Sequence, residues 1–220
     1  ERLRADCTEV WAASPNLPLA RFAQRARSIA ATGLDLVGIQ GVDPPASVLE
    51  ALGGFDSIVS WYGANRPEFR QEVERLGLPF AFLEALPGAG VKLHAADFYM
   101  RQVSHIAGGC VPAVPAIHCP AGEGGFAAIH PFSGSPKKNW PLPRFRQLAA
   151  ILEQFMPVRW ILDHGQFVEG AQADPPVDDL YELACKLAQA RVYVGNDSGV
   201  THLAAASGAR VVALFGPSDA

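Results

Sequence analysis

The stretch Val192-Tyr-Val-Gly-Asn-Asp-Ser-Gly-Val-Thr-His-Leu-Ala-Ala-Ala-Ser-Gly-Ala-Arg-Val-Val-Ala-Leu-Phe-Gly-Pro217 decides the fold. It reads as a buried strand over 191–194, a polar turn over 195–199, a short helix over 200–207, a stop at Gly208 and a second buried strand over 210–215. Strand, helix and strand with short joints make a βαβ unit, so the two strands run parallel with a right-handed crossover. Ligands of open parallel sheets sit beyond the carboxyl ends of the strands. Asn196, Asp197, Ser198 and Gly199 fall at such an end and also at a helix N-terminus, where unpaired N–H groups and roughly half a positive charge suit a phosphate. Asp197 or Ser198 serves equally well as an ordinary N-cap, and spacing alone does not separate the two readings.

Working outward, both halves alternate strand and helix. The earlier half reads as a strand over 8–12, a helix over 19–31, a strand over 34–39, a helix over 47–52, a strand over 55–61, a helix over 67–76, a strand over 80–83 and a helix over 94–107. Residues 110–125 are rich in Pro and Gly and read as a linker. The later half resumes with a strand over 126–129, a loop over 130–141, a helix over 142–155, a strand over 158–162 and a helix over 178–190 capped by Asp178, before the closing βαβ unit. The expected domains are therefore an amino-terminal lobe over 1–109, the linker, and a carboxy-terminal lobe over 126–220. Alternation of this kind implies parallel sheets covered by helices, and two such lobes leave a cleft for a ligand. Both ends of the chain read as cut through a fold, which makes each lobe incomplete.

Composition narrows the function. The chain has 220 residues, nearly half of them apolar, and a net charge of −4 with no basic run, which argues against nucleic acid as the main partner. Its four cysteines form no C-x-x-C pair, and neither a metal site nor a disulfide framework is indicated, which fits a reducing compartment. No apolar run approaches the length of a membrane span and no signal peptide opens the chain, so a cytoplasmic protein is expected.

The second loop of interest is His130-Pro-Phe-Ser-Gly-Ser-Pro-Lys-Lys-Asn-Trp-Pro141. It follows a strand and precedes a helix, so it shares a sheet edge with the Asp197 turn. Ser133, Gly134 and Ser135 offer small hydroxyls and a flexible backbone, Lys138 offers positive charge, and Trp140 is expected to pack back on the lobe. Taken alone, the loop reads first as an ordinary surface loop with a solvated Lys pair. Converging on one edge, the two loops form an anion site in which Lys138 and the helix end offset about 1.5 of the charges of a diphosphate. His202 lies one turn after Ser198 and either donates to a phosphate or sugar hydroxyl or is satisfied by a carbonyl; His164 is a weaker candidate at the same edge. No Walker or dinucleotide glycine motif, no Asp-x-Asp, and no nucleophile–His arrangement is present.

With these motifs quoted, the chain resembles glycosyltransferase family 9, the group of the lipopolysaccharide heptosyltransferases. The resemblance rests on His130-Pro, Ser133-Gly-Ser, Lys138-Asn-Trp-Pro141, Asp178-Asp-Leu-Tyr-Glu-Leu-Ala184, Val194-Gly-Asn-Asp-Ser-Gly-Val-Thr-His-Leu-Ala-Ala-Ala-Ser-Gly208 and Val211-Val-Ala-Leu-Phe-Gly-Pro-Ser-Asp219, spread over the second half. It implies a GT-B fold of two Rossmann-like lobes and an inverting, metal-independent transfer of a sugar from a nucleotide-diphosphate donor. Carried over, Asp197 holds sugar hydroxyls, Ser198 and Gly199 hold the diphosphate, Lys138 with Ser133 and Gly134 neutralises the leaving phosphate, and His202 braces the site. The family's catalytic base is an Asp in a Gly-rich loop after its first strand. That position would lie upstream of Glu1, by about one β–α step, so no catalytic residue is assigned and this chain is expected to bind the donor without turning over. The resemblance also implies no cofactor beyond the donor (an ADP-sugar, with heptose as the sugar), a lipid-linked saccharide acceptor, and contact with a membrane that is at most peripheral. The alternative is a sugar-nucleotide-binding protein that naturally lacks the base.

Overall fold

A computed structural model of the chain describes residues 5–88, 90, 93–107, 114–120, 122 and 124–216. It divides into two compact units, Glu1–Ala113 and Val114–Ala220. Both ends of the chain and six of the sixteen residues of the Pro/Gly-rich linker lie outside the described residues.

The first unit contains two parallel strand pairs. Strand β1 (Glu9–Ala12) pairs with β2 (Arg25–Ser28), and β3 (Ile58–Ser60) pairs with β4 (Phe80–Phe82). Helices α1 (Ala46–Gly53), α2 (Pro67–Arg75) and α3 (Ala95–Ala107) accompany them. Leu34, Val37, Val48, Leu52, Phe69 and Val73 form one buried core, against which Trp11 of β1, Ile58 of β3 and Phe80 and Phe82 of β4 all pack. That shared core is what joins the two strand pairs into one body. Phe69 sits at its centre, edge-on to Tyr62, Phe80 and Phe82. It lies over the turn at Gly63, where φ is +76° and a Cβ would come within 2.4 Å of the Phe69 ring. Only glycine combines that backbone with that approach.

Two expectations for this unit are corrected. Residues 19–31 do not form a helix: 25–28 are strand β2, followed by a 3-10 turn over Ile29–Ala31. The helical spacing of the apolar residues yields to a parallel ladder with β1, secured by the Arg27–Glu9 ion pair and by Arg27 lying over the Trp11 ring, while Phe22 remains half exposed. Residues 34–39 are not a strand either. Gly33 and Gly38, both at positive φ, bracket a single 3-10 turn over Leu34–Leu36 that buries Leu34 and Val37 three residues apart. Four apolar residues within a stretch of six do not by themselves distinguish a strand from a turn that faces the core.

The second unit is built on one four-stranded parallel sheet in the order β6-β5-β7-β8, with β5 at Ala127–His130, β6 at Val158–Trp160, β7 at Val192–Asn196 and β8 at Val211–Leu214. Helix α4 (Leu142–Leu152) connects β5 to β6, α5 (Leu180–Ala188) leads into β7, and α6 (Gly199–Ala206) connects β7 to β8. Side chains alternate along β7. Val194 joins Ala127, Ile129, Phe145 and Ala149 in the core under α4, whereas Tyr193 points to the opposite face and reaches Thr201 of α6. Each fully buried side chain of this kind contributes about 1.5–3 kcal/mol.

Element ends explain themselves locally. Asp179, not Asp178, caps α5, its carboxylate accepting from the N–H groups of Tyr181 and Glu182. Asp178 instead lies 2.8 Å from the His164 ring. Gly208 ends α6 at φ +87°, as its position after the apolar stripe requires. Strand β7 runs two residues further than its apolar stretch indicates, to Asn196, because the ladder with β8 continues through Asn196 and Leu214. No helix of the described residues is long and apolar enough to cross a membrane.

Candidate functional site

The strand order fixes where the two marked loops meet. From β5 the chain moves outward to β6, and from β7 it moves outward in the opposite direction to β8, so the sheet reverses direction between β5 and β7. The segments leaving the carboxyl ends of those two adjacent strands part to opposite faces and leave a crevice, the usual ligand position in such a sheet. These segments are 131–141 and 197–198.

Asn196 holds them together. It is completely buried at the end of β7. Its Nδ2 donates to the Pro131 carbonyl at 2.7 Å, and its Oδ1 accepts from the Trp140 N–H at 2.8 Å. One side chain thus clasps the start and the finish of the Lys138 loop. Trp140 rests edge-on against Phe145 of α4, with ring centroids 5.1 Å apart, as its expected packing role requires. Inside the loop the Ser133 hydroxyl lies 2.8 Å from the Ser135 carbonyl and 2.7 Å from Asn139 Oδ1, so it shapes the turn rather than standing free for a ligand. Gly134 is open, with nothing within 4 Å of where a Cβ would be.

Lys138 reaches across to the other loop, its Nζ donating to Asp197 Oδ2 at 2.6 Å. The lysine side chain is 38% exposed and the aspartate 14%. The crevice therefore carries a balanced pair, not the isolated cation expected from spacing. On the far side of the same carboxylate, His202 Nε2 stands 3.5 Å from Asp197 Oδ1, with its ring largely in solvent. Ser198 is the N-cap of α6, its Oγ accepting from the Thr201 N–H at 3.3 Å. The N–H groups of Gly199 and Val200 precede the intrahelical ladder and face outward. Gly199, like Gly134, has open space around it. The N-cap reading and the anion-site reading of this turn are thus compatible: the Ser198 side chain caps the helix while first-turn donors remain at its mouth.

Behind this surface lies a buried polar network. Thr201 Oγ1 donates to the Asn196 carbonyl at 2.5 Å and lies 3.0 Å from the Tyr193 hydroxyl. Gly195 makes room for it, since a Cβ there would fall 2.5 Å from the Tyr193 hydroxyl oxygen. Burial pushes the Tyr193 phenol up to about 12, so it remains a neutral hydrogen-bonding group. His130, at the end of β5, is also buried, with Nδ1 2.8 Å from the Ile161 carbonyl. Burial lowers its pKa, opposed by that hydrogen bond and by the charge of Asp163.

Of the sequence candidates, Lys138, Asp197, Ser198, Gly199 and His202 come together at the carboxyl end of β7. Gly134 lies on the loop that Lys138 closes, and Ser133 serves that loop's internal geometry. His164 lies after β6, beyond β5 from this cluster, and pairs with Asp178. Asn196 and Thr201 lie inside the quoted motif, but their buried structural roles, and that of Tyr193, escape motif reading; the signal for them is a polar residue closing an apolar strand and an aromatic two residues before a glycine. Among the described residues, no group of three or more His, Cys, Asp and Glu is placed to hold a metal ion.

Residues 176–220, which include α5, β7, α6 and β8, match the model of glycosyltransferase family 9 (heptosyltransferase). No curated protein matches the chain in sequence. In fold, 97% of the chain superposes on 72% of a family 9 glycosyl transferase from Veillonella parvula, with a TM-score of 0.67 at 16% identity. The same share superposes on 78% of the E. coli heptosyltransferase WaaC with ADP, also with a TM-score of 0.67 at 16% identity. For E. coli ADP-heptose lipopolysaccharide heptosyltransferase II the match covers 76% of that chain, with a TM-score of 0.64 at 17% identity. The parallel-sheet α/β architecture is the GT-B fold of these structures. In its carboxy-terminal sequence and in its fold, the chain is similar to the heptosyltransferases of glycosyltransferase family 9.

Proposed function

We propose that this protein is a glycosyltransferase that takes a sugar, heptose, from an ADP-linked donor and passes it with inversion, and without a metal, to a lipid-linked saccharide of the lipopolysaccharide type. The observation that carries the reading is the Lys138–Asp197 pair set across the mouth of α6 at the sheet's reversal point. The donor's diphosphate lies against the first-turn N–H groups of Gly199 and Val200 and takes Lys138 as its counter-charge. Asp197, released from Lys138, accepts hydrogen bonds from sugar hydroxyls, and His202 flanks it. As the sugar leaves, negative charge grows on the diphosphate, and donors already fixed around it lower the barrier without reorganising. The likeness to structures described with ADP and with ADP-2-deoxy-2-fluoro heptose supports adenine as the base and heptose as the sugar.

Calorimetric titration of the chain with ADP, UDP and GDP tests this, alongside Lys138→Ala. ADP alone should bind, and loss of one charge-assisted contact, about 1.5–3 kcal/mol, should weaken it roughly ten- to a hundredfold. Equal affinity in the variant removes Lys138 from the site.

A further inference from the structure

Residues 114–120 enter the second unit and run alongside α5 and the end of α6. The Ile117 N–H donates to the Ala206 carbonyl at 2.7 Å, at the last turn of α6. The Tyr181 hydroxyl donates to the His118 carbonyl at 3.0 Å, at the first turn of α5. Two turns further along α5, Gln189 lies against Gly122, where a Cβ would come within 2.4 Å of its Cγ. The segment therefore tracks one face of α5 in step with the helix, residue 118 beside 181 and residue 122 beside 189. The intermediate turn brings Cys119 within interaction range of Cys185, whose sulfur, after burial, helps to raise the Cys119 pKa. Both are free and partly buried, whereas Cys7 is exposed.

We propose that Cys119 and Cys185 are a redox modification site: a thiol pair that closes to a disulfide by exchange with a low-molecular-weight disulfide such as oxidised glutathione, fastening the 114–120 segment to α5. The chemistry balances with that oxidant alone. The Cys185 thiolate attacks one sulfur of the small disulfide and expels one thiolate. Cys119 then gives up its proton to solvent and attacks the Cys185 sulfur of the mixed disulfide, expelling the second. Two protein thiols are oxidised and one small disulfide is reduced to two thiols.

Burial and the neighbouring sulfur push the Cys119 thiol up to about 11, which suits it to the resolving role and not to first attack. In a reducing compartment the pair remains open, and an oxidising excursion closes it. The flanking contacts at residues 118 and 122 hold both partners at short range. The second step is therefore intramolecular and outruns attack by a second small thiol.

The test is equilibration of the whole chain with oxidised glutathione under native conditions, followed by alkylation, digestion and mass spectrometry, in the native sequence and in a variant retaining only Cys119 and Cys185. A Cys119–Cys185 cross-linked peptide is expected, with Cys7 carrying glutathione. Thermal unfolding of the oxidised protein should occur on the order of 10 °C higher and return to its original midpoint with dithiothreitol, since the bond closes a loop of about 65 residues. Cys185→Ser should abolish both effects while unfolding at the reduced protein's midpoint. Separate glutathione adducts on Cys119 and Cys185, a cross-link formed only after denaturant is added, or a lowered midpoint on oxidation would each overturn the proposal.

Discussion

Replacing Asn196 by Ala should damage the carboxy-terminal unit far beyond the loss of one small amide. The side chain is completely buried, and its two hydrogen bonds, at 2.7 and 2.8 Å, leave no freedom in how the amide is turned. Pro131 offers only a carbonyl and the Trp140 nitrogen only a hydrogen. Truncation strands both. A buried polar group left without its partner costs about 1–3 kcal/mol. The Pro131 carbonyl is deeply placed and pays near the top of that range, while the Trp140 N–H is closer to water and pays less. The sum is about 3 kcal/mol, which for a chain of this length lowers the unfolding midpoint by roughly 6–12 °C.

Asn196→Asp sharpens the test. It retains the acceptor for Trp140 but places a second oxygen opposite the Pro131 carbonyl, and the clash is relieved only when the carboxyl is protonated. Burial and the facing oxygen raise its pKa in the folded state above the ordinary value of about 3.9. A group with a raised folded pKa lends its stability below the unfolded pKa and loses it as pH rises through the folded one. The variant should therefore lie close to the native protein at low pH and fall progressively behind it towards pH 8. Differential scanning calorimetry across that range reads this directly. A midpoint change under about 2 °C for the Ala variant, or a gap for the Asp variant that does not widen with pH, would refute the assignment of Asn196 as the clasp.

Three further outcomes follow from the geometry. Asp197→Asn releases Lys138 from its carboxylate, so affinity for ADP alone should hold or rise while the extra affinity conferred by the sugar disappears; calorimetry with ADP and an ADP-sugar separates the two. His130 is held neutral by burial, which lowers its folded pKa below 6.5. Its contribution is intact above that value and is lost as pH falls below it, so His130→Gln should flatten the acid limb of the stability–pH curve, measured by urea denaturation. Gly63→Ala forces a positive φ on alanine and drives its Cβ into the Phe69 ring. The amino-terminal unit should lose about 2–4 kcal/mol, read from hydrogen exchange of amides in α2 and β4.

The carboxy-terminal unit was largely legible in the sequence because its strands are short, mostly apolar and separated by helices with plain stops. Gly208 and the stripe through Leu183, Ala184 and Leu187 each have one sensible reading. The amino-terminal unit was less so. Residues 19–31 carry helical spacing, yet only the pairing of Arg25–Ser28 with Glu9–Ala12 determines their conformation, and that partner is distant in sequence. Residues 34–39 are short enough that Gly33 and Gly38, both at positive φ, outweigh their four apolar residues. The candidate site divides the same way. Spacing brought Lys138 and Asp197 to one edge, but that they neutralise each other is a tertiary fact, set by a clasp whose central residue looks ordinary in the sequence. The same holds for Cys119 and Cys185, which no local spacing relates.

The pairing of Lys138 with Asp197 has one more consequence, for discrimination. A crevice lined by a lone cation would hold any small anion, inorganic phosphate included, and in a cell it would be occupied much of the time. A crevice closed by an ion pair asks more of its occupant. Phosphate can satisfy the lysine, but it draws that lysine away from a largely buried carboxylate and sets a second negative charge beside it. A molecule presenting an anion and hydroxyl groups a few ångströms apart satisfies both halves at once. Under the proposed function, the paired site thus rejects half of its ligand and accepts the whole.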